Sequence, residues 1–265
     1  MRRALLTLAA LLAIAAPAAA ASVPTAQPNV LTVGLNMPNQ GFQVGAANGT
    51  SVVLARGFEI DLARALARSL GVPRVVLYQE SSFTRLLASG TKPWDLALAQ
   101  VTITAGRRRA VDFSVPYLSA DEGVLLRRGL GPRPRSLAGL RGLRLCTQAG
   151  TTGVAIIARR IAPTTPPTLE PDQTRLDQDL QSGRCDAAVY DAPILAAEVA
   201  ATPERYGPLV GVIRTGERYG VVLPEGSVLT PFVNRALGGL VANGTVAALS
   251  RRWLTTNLAT LPVLR

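Results

Sequence analysis

Residues 94–117 read WDLALAQVTITAGRRRAVDFSVPY, and this stretch predicts a binding site at the end of a β-strand. The apolar residues of 94–100 favour a strand, which leads into the hydroxyl-rich turn Thr102-Ile103-Thr104. Arg107 follows three residues after that turn. Because a guanidinium pairs with a carboxylate through two parallel hydrogen bonds, this arrangement is suited to hold a small carboxylate. On these residues alone, a solvated basic turn is the competing interpretation.

Strand and helix patterns alternate along the rest of the chain, which is typical of α/β architecture with largely parallel sheets. The clearest helix begins at Gly57, carries a leucine at every fourth position from Leu62, and ends at Gly71. The predicted strands are 30–35, 74–78, 94–100, 143–148, 186–190 and 221–223. The predicted helices are 57–70, 82–90, 151–161, 176–180, 193–201 and 230–243, with a short one reaching 254. Loops are predicted at 36–50 and 129–142.

Residues 1–21 are predicted to be a signal peptide. Arg2 and Arg3 precede an apolar run at 4–16, and small residues then offer a cleavage site after Ala20 or Ala21. The apolar run is shorter than the ~20 residues that a membrane-spanning helix needs. No cysteine follows the small residues, so a lipoprotein is not expected. We therefore expect an exported protein located in the periplasm.

Composition excludes several classes of function. The formal net charge is +11, but the arginines are scattered and there are only five Phe and five Tyr, whereas nucleic-acid binders cluster basic residues among aromatics. The absence of histidine removes histidine-based triads and histidine metal sites. No G-x-S-x-G motif or phosphate-binding glycine loop occurs. We expect no catalytic residue, no metal, no cofactor and no nucleic-acid partner.

Two predicted strand ends in the second half of the chain share one layout. Cys146 lies five residues before Thr151, and Cys185 lies six residues before Asp191. If the two strands are parallel neighbours, the cysteines lie at one level, and Thr151 and Asp191 lie at the carboxyl edge where α/β sheets bind ligands. The exported context favours a Cys146–Cys185 disulfide over two buried thiols.

The polar residues at these two strand ends suit a zwitterion. Thr151 and Thr152 open a helix whose free amides favour an anion. Asp191 would face an ammonium, while Arg107 and the Thr151 amide would face a carboxylate. Thr151 and Asp191 could equally serve only as helix N-caps.

Four segments together resemble the polar amino-acid solute-binding proteins of bacterial ABC importers, that is, bacterial extracellular solute-binding protein family 3. They are RGFEIDLARALARSLGV (56–72), TITAGRRRAVDFSVPY (102–117), QAGTTG (148–153) and SGRCDAAVYDAP (182–193). The resemblance covers essentially everything after residue 28. It implies a two-lobed periplasmic-binding-protein type II fold, each lobe a mostly parallel sheet flanked by helices, joined by two hinge strands. Lobe one would be 28–119 plus 216–265, and lobe two 120–215.

The resemblance also implies roles for particular residues. Arg107 matches the arginine that grips the α-carboxylate of the ligand. Thr102 matches the hydroxyl residue that holds the α-amino and carboxylate groups. Thr151 and Thr152 match carboxylate donors of lobe two, and Asp191 matches the acid that receives the α-ammonium.

The ligand's side chain is expected to lie among four further residues. Phe83 matches an apolar or aromatic wall, although a core residue at a helix start is an equal interpretation. Asn39 stands where many relatives place an aromatic lid, and Asn36 where binders of basic amino acids carry an acid. These departures argue against an aromatic sandwich and against selectivity for Lys, Arg or His. Gln100 replaces a small residue and would either hydrogen-bond a polar side chain or shorten the pocket.

We therefore expect a monomeric binding protein that closes on an α-amino acid and delivers it to a membrane ABC permease, and not an enzyme. One alternative is a periplasmic enzyme on the same scaffold, similar to cyclohexadienyl dehydratase, with Glu80, Glu122 or Glu170 as its acid. The other alternative is an accessory binding protein for a periplasmic partner. Turnover of a cyclic carboxylate would indicate the first, and co-purification without amino-acid affinity the second.

Overall fold

The computed structural model describes residues 23–254 and 256–265. The predicted signal peptide at 1–21 lies outside the described residues. None of the helices at 23–254 or 256–265 is both long enough and apolar enough to cross a membrane.

Strands and helices alternate along the described chain, as the sequence patterns predict. The strands are β1 (Val30–Leu35), β2 (Val44–Asn48), β3 (Ser51–Arg56), β4 (Arg74–Gln79), β5 (Leu96–Ala97), β6 (Val111–Ser119), β7 (Glu122–Arg127), β8 (Leu145–Gln148), β9 (Thr168–Glu170), β10 (Ala187–Asp191), β11 (Tyr206–Ile213) and β12 (Arg218–Pro224). The α-helices are α1 (Phe58–Ser69), α2 (Phe83–Leu86), α3 (Gly153–Ile156), α4 (Gln173–Gln181), α5 (Ala192–Ala201), α6 (Thr230–Ala242) and α7 (Thr245–Trp253). A π-helical segment, Ile157–Ile161, continues α3.

The strands form two sheets. The first has the order β2-β3-β4-β1-β5-β12-β6, and the second has the order β11-β7-β10-β8-β9. Each has a parallel core, β4-β1-β5 in the first and β10-β8-β9 in the second. The pairs β12–β6 and β11–β7 are antiparallel because the chain leaves the first sheet along β6 and returns along β12. The predicted α/β fold with two sheets is confirmed, but the sheets are mixed rather than mostly parallel.

Two adjacent segments carry the chain between the sheets. The outward segment lies between Ser119 and Glu122, and the return segment lies between Ile213 and Arg218. Asp121 ties them together: its Oδ1 accepts hydrogen bonds from the backbone nitrogens of Thr215 (2.8 Å) and Gly216 (3.0 Å). These segments are the hinge of the molecule, and the carboxylate keeps their spacing fixed.

The C-terminal tail makes a third passage between the sheets. Trp253 and Leu254 pack against the large apolar cluster that also holds Leu31 of the first sheet, whereas Leu264 is 1% exposed within a cluster of the second sheet. The Leu264 nitrogen donates to the Val212 oxygen at 2.8 Å. The structure thus differs from the expected division of the chain at 258–265, because burying Leu264 draws the tail away from lobe one.

Several elements differ in extent from the predictions. The predicted loop at 36–50 contains β2, and β2 and β3 form a hairpin that is largely exposed, so no apolar alternation marks it. The predicted strand 94–100 shortens to Leu96–Ala97, since the Asp95 carboxylate caps backbone nitrogens and Gln100 has φ +49°. The predicted helix 82–90 shortens to α2. Strands β6, β7, β9 and β11 were not predicted.

A continuous apolar cluster joins the two sheets behind the hinge. It contains Leu31 and Leu96 of the first sheet and Leu125 of the second. At its centre four aromatic rings, of Phe42, Phe58, Tyr117 and Tyr219, lie in contact with centroid separations between 5.9 and 6.2 Å. Such aromatic packing supports the hinge strands β6 and β12, which carry the two tyrosines.

Cys146 and Cys185 form the predicted disulfide, with 5.9 Å between their Cα atoms. Strands β8 and β10 are parallel neighbours, and Cys146 pairs with Ala188. The disulfide therefore ties β8 to Cys185, two residues before β10, and the strand ends that carry Thr151 and Asp191 share one edge of the second sheet.

Candidate functional site

Arg107 lies at the start of a 3-10 turn (Arg107–Arg109) and reaches toward the second sheet. Its Nη1 donates to the Thr102 oxygen at 2.7 Å, and its Nη2 donates to the Gly150 oxygen at 3.0 Å. The guanidinium also lies 5.3 Å from the centre of the Phe83 ring, a cation–π distance. Burial lowers the pKa of Arg107, an effect that the nearby carboxylate of Asp191 opposes. Arg107 is therefore not the solvated basic residue of the competing interpretation.

Asp191 ends β10 with its carboxylate 95% buried, since the residue is 5% exposed. Its side chain makes no capping bond to α5, although Asp191 precedes that helix. Instead, Oδ2 accepts a hydrogen bond from the Tyr219 hydroxyl at 2.6 Å. Burial raises the pKa of Asp191 to about 7. The interpretation of Asp191 as only an N-cap is therefore wrong, and its carboxylate is directed toward the hinge strand β12.

The three threonines of the expected site lie on both sheets. Thr102 is 2% exposed and forms a β-bridge with Tyr219. The Thr151 hydroxyl donates to the Gln148 oxygen at 2.7 Å, and Thr152 makes no capping bond to α3. Neither threonine side chain caps α3: the Thr151 hydroxyl is bonded to Gln148 and the Thr152 hydroxyl to Glu122, beside a short helix start.

Two further carboxylates lie beside Asp191. Glu122 is fully buried and pairs with Asp191 across β7 and β10, and its Oε1 accepts a hydrogen bond from the Thr152 hydroxyl at 3.3 Å. Burial raises the pKa of Glu122 well above its usual range, and Asp191 and Glu217 raise it further. Burial and the neighbouring carboxylates thus favour the protonated form of Glu122.

The buried carboxylate of Glu59 fixes the position of Gln100 through hydrogen bonds. The backbone nitrogen of Gln100 donates to Glu59 Oε1 at 2.9 Å, and its Nε2 also donates to the Glu59 carboxylate. Tyr117 and Gln43 donate to the same group, which is fully buried. Burial raises the pKa of Glu59 despite these bonds. The network fixes Gln100 at the floor of the cleft.

A polar cavity of about 130 Å³ is lined by Phe83, whose ring contacts Arg107. Phe83 lines it, so this ring packs both on the core cluster around Trp94 and on the cavity. The cavity is also lined by Asn36, Asn39 and Gln100, which the sequence associates with the ligand's side chain. The structure therefore brings the expected side-chain residues to one place, next to the charged pair.

The arrangement offers complementary charges from opposite sides of one cleft. The first sheet contributes a partly buried guanidinium, and the second contributes a buried carboxylate and two hydroxyls. Such a set can hold a small molecule that carries both a carboxylate and an ammonium. In the described part of the chain, no group of three or more Cys, Asp or Glu residues is placed to hold a metal ion.

Some residues of the site carried no signal in the sequence. Tyr219 binds Asp191 but lies in β12, and Glu217 is half-buried near Arg107 although it precedes the same strand. Neither follows a predicted strand end, so position along the chain did not single them out. Gln173 lines the cavity from the start of α4. Only the return of the chain through the hinge and the fold of the second sheet bring these side chains to the cleft.

The sequence was compared with known protein families. Residues 31–256 match the sequence model of bacterial extracellular solute-binding proteins, family 3. The L-cystine-binding protein TcyJ of Escherichia coli (strain K12) is 29% identical over 199 residues, which cover 74% of this chain and 73% of the relative.

Solved structures have the same fold. An ancestral arginine-binding protein bound to glutamine matches with a TM-score of 0.75 and 29% identity, over 87% of this chain and 100% of that one. The ancestral amino acid-binding protein AncCDT-1, a precursor of cyclohexadienyl dehydratase, matches with a TM-score of 0.72 and 28% identity, over 85% of this chain and 95% of that one.

Proposed function

The chain belongs to the bacterial extracellular solute-binding proteins, family 3, and we propose that it binds an α-amino acid between its two lobes and delivers it to the membrane permease of an ABC importer. The observation that carries the proposal is the opposition of the partly buried Arg107 and the buried Asp191 across one cleft. Arg107 grips the α-carboxylate together with the Thr151 and Thr152 groups. Asp191 receives the α-ammonium, and Thr102 supports both.

Binding closes the two lobes about the hinge. We propose lobe one as 28–119 plus 216–257 and lobe two as 120–215, with the tail 258–265 as a strap on lobe two. Contacts between the lobes support a closed arrangement: Arg107 donates to the Gly150 oxygen, and the Gln40 nitrogen donates to Glu198 Oε1 at 3.3 Å. A ligand stabilises this arrangement only to the extent that it binds the closed form more tightly than the open one.

The remaining expectations follow from this role. We propose that residues 1–21 direct export to the periplasm and are removed, that the mature protein is a monomer without catalytic activity, and that its partner is the permease. The names of the relatives, which include binding proteins for cystine, arginine and glutamine, support an amino acid as the ligand.

A thermal-shift panel of the mature protein against the twenty amino acids tests the proposal. With a Kd near 1 μM and about 1 mM ligand, stabilisation is ~4 kcal/mol, which raises Tm by about 8 °C or more. We expect at least one amino acid to give such a shift. A well-folded protein whose Tm none of the twenty raises would overturn the amino-acid assignment.

One observation favours a second candidate, an enzyme that acts on a cyclic carboxylate. Burial and nearby carboxylates raise the pKa of Glu122 beside Asp191 well above its usual range, and its Oε2 has no hydrogen-bond partner within residues 23–254 and 256–265. A general acid needs this combination of raised pKa and free hydroxyl. Turnover of prephenate or arogenate, abolished by Glu122→Gln, would establish this candidate; absence of turnover would leave Glu122 as a structural donor.

A further inference from the structure

The polar cavity beside the charged pair is the place for the ligand's side chain. Phe83 lines its wall nearest Arg107, since the Phe83 ring contacts that guanidinium, and Tyr190 lines it from the second sheet. Asn39 closes it from the first lobe, and Gln173 closes it from the second. An amino acid held by its α-groups at the pair therefore projects its side chain among these residues.

Six carboxamides line this cavity, and five of them donate a side-chain N–H to a protein oxygen. These five are Asn36, Gln79, Gln100, Gln148 and Gln173. The oxygens of Gln79 and Gln148 also accept bonds from protein groups. The oxygens of Asn39 and Gln173, by contrast, have no donor in the described part of the chain, so the cavity has two unpaired acceptors.

Gln173 presents the most clearly defined of these acceptors. Its Nε2 donates to Asp177 Oδ1 at 3.1 Å, one turn along α4, and this bond leaves Oε1 as the unpaired end of the amide. The residue is 5% exposed, and its Oε1 has no hydrogen-bond partner among the residues that the structure describes. Asn39 Oδ1, on the other lobe, is likewise buried and unpaired in that part of the chain. A buried acceptor without a donor is unfavourable, so a ligand that supplies the donor gains affinity.

The charges around the cavity favour a neutral donor. Asp172 is the one carboxylate among the described lining residues, and its Oδ1 accepts the Arg175 nitrogen as the N-cap of α4. A guanidinium or ammonium side chain would lose its hydration without meeting a free carboxylate. A carboxylate side chain would meet carbonyl oxygens, which cannot donate to it. An uncharged N–H group matches the cavity.

We propose that Gln173 is a specificity-determining residue and that its Oε1 accepts an N–H from the side-chain carboxamide of a glutamine-like or asparagine-like ligand. Asp177 acts as a positioning residue, because it holds the amide of Gln173 in this orientation. The inference rests on the proposed amino-acid function of the adjoining Arg107–Asp191 pair.

Calorimetry with glutamine, asparagine, glutamate, arginine and norvaline tests the inference on the mature protein. Norvaline keeps the α-groups and the aliphatic chain but lacks the amide. We expect glutamine or asparagine to bind at least about tenfold more tightly than the other three, as the loss of a buried hydrogen bond predicts. We expect Gln173→Leu to weaken binding of the carboxamide ligand about tenfold and to leave norvaline affinity within about twofold.

Gln181→Leu is the matched control, since it makes the same substitution on the same helix at an exposed position that does not line the cavity. We expect it to change neither affinity. If Gln173→Leu does not fold, Gln173→Met carries the same comparison. Tighter binding of arginine or glutamate, or an equal loss for the carboxamide ligand and norvaline, would overturn the role of Gln173 and leave the amino-acid function standing. Binding of none of the five ligands, and of no other amino acid, would overturn both.

Discussion

Asp191 provides a buried carboxylate to which a cation can bind. The Tyr219 hydroxyl holds one oxygen at 2.6 Å, and the carboxylates of Glu122 and Glu217 lie near enough to affect proton binding. Arg107 is the countercharge from the other lobe. Because burial raises the pKa of Asp191 to about 7, proton and ligand ammonium compete for the same carboxylate.

This competition predicts a pH dependence of binding. The ammonium binds the ionised carboxylate, which is mostly protonated at pH 5.5 and mostly ionised at pH 7.5, so affinity should fall about 20-fold between pH 7.5 and 5.5. Calorimetry at the two pH values measures the ratio. Asp191→Asn should bind more weakly and show a much smaller ratio. An equal ratio in the wild type and Asp191→Asn would contradict the assignment.

The same pKa shift has a consequence for stability without ligand. The folded protein holds a proton on Asp191 that the unfolded chain releases at a lower pH. This group therefore contributes a stability that is present at low pH and is lost as pH rises from about 4 to about 7.

At the residue scale, the sequence predicted those polar groups that follow strand ends. The sequence placed Arg107 after one strand and Asp191 at the end of another, and parallel strands bring their carboxyl ends to the same edge of a sheet. The sequence left open whether the Asp191 side chain caps a helix. Only the hydrogen bond from Tyr219 decides this. The sequence did not identify Gln173 as a residue of the site. Its contact with Asp177 is local, but its place in the cleft depends on how α4 packs on the second sheet.

At the scale of elements, helices were predicted better than strands. The observed α1, α5 and α6 begin and end within a residue or two of the predicted limits, because caps and apolar spacing are local. Strands β6, β7 and β11 were not identified from the sequence. β7 is buried almost throughout, and the pairing of β11 with β7 has register shifts. Their pairing is long-range and is set by the two passages between the sheets.

Gly57, before α1, is predicted to be essential to the first lobe. It has φ +129°, and a Cβ there would lie 2.2 Å from the Phe42 oxygen. We expect Gly57→Ala to lower the free energy of unfolding by more than about 3 kcal/mol, through a forbidden backbone angle and a clash with main chain. Urea-induced unfolding of the variant and the wild type measures this difference in the free energy of unfolding.

Gly71, at the other end of the same helix, is the matched control. It has φ +70°, but a Cβ at this position would have no other atom within 4 Å. Gly71→Ala should therefore cost only the backbone strain, about 1–2 kcal/mol. Equal costs at the two positions would show that the contact with Phe42 is unimportant.

At the scale of the whole molecule, three passages of chain connect two sheets. Asp121 ties two of them together at the hinge, and the third is the C-terminal tail. The resemblance to a two-lobed family predicted the hinge. It did not predict the position of the tail, because nothing in the sequence of 258–265 shows which sheet will bury Leu264. The tail limits how far the lobes separate unless it detaches.

The tail is predicted to stabilise the second lobe through a single side chain. Leu264 is 1% exposed in the second-sheet cluster, so Leu264→Ala should lower the free energy of unfolding by about 2–5 kcal/mol. Val263, its neighbour, is 37% exposed, and Val263→Ala should cost less than about 1 kcal/mol. Chemical denaturation compares the two variants; a similar small effect of both would mean that the tail is not anchored.

Arg107 is the group on which binding of the ligand's carboxylate depends above all. Calorimetric titration of the mature protein with its best amino acid, repeated for Arg107→Ala and Arg109→Ala, tests this most directly. We expect Arg109→Ala, an exposed arginine of the same turn, to bind as the wild type does, and Arg107→Ala to bind at least about 100-fold more weakly. Binding by Arg107→Ala within about threefold of the wild type would contradict this role.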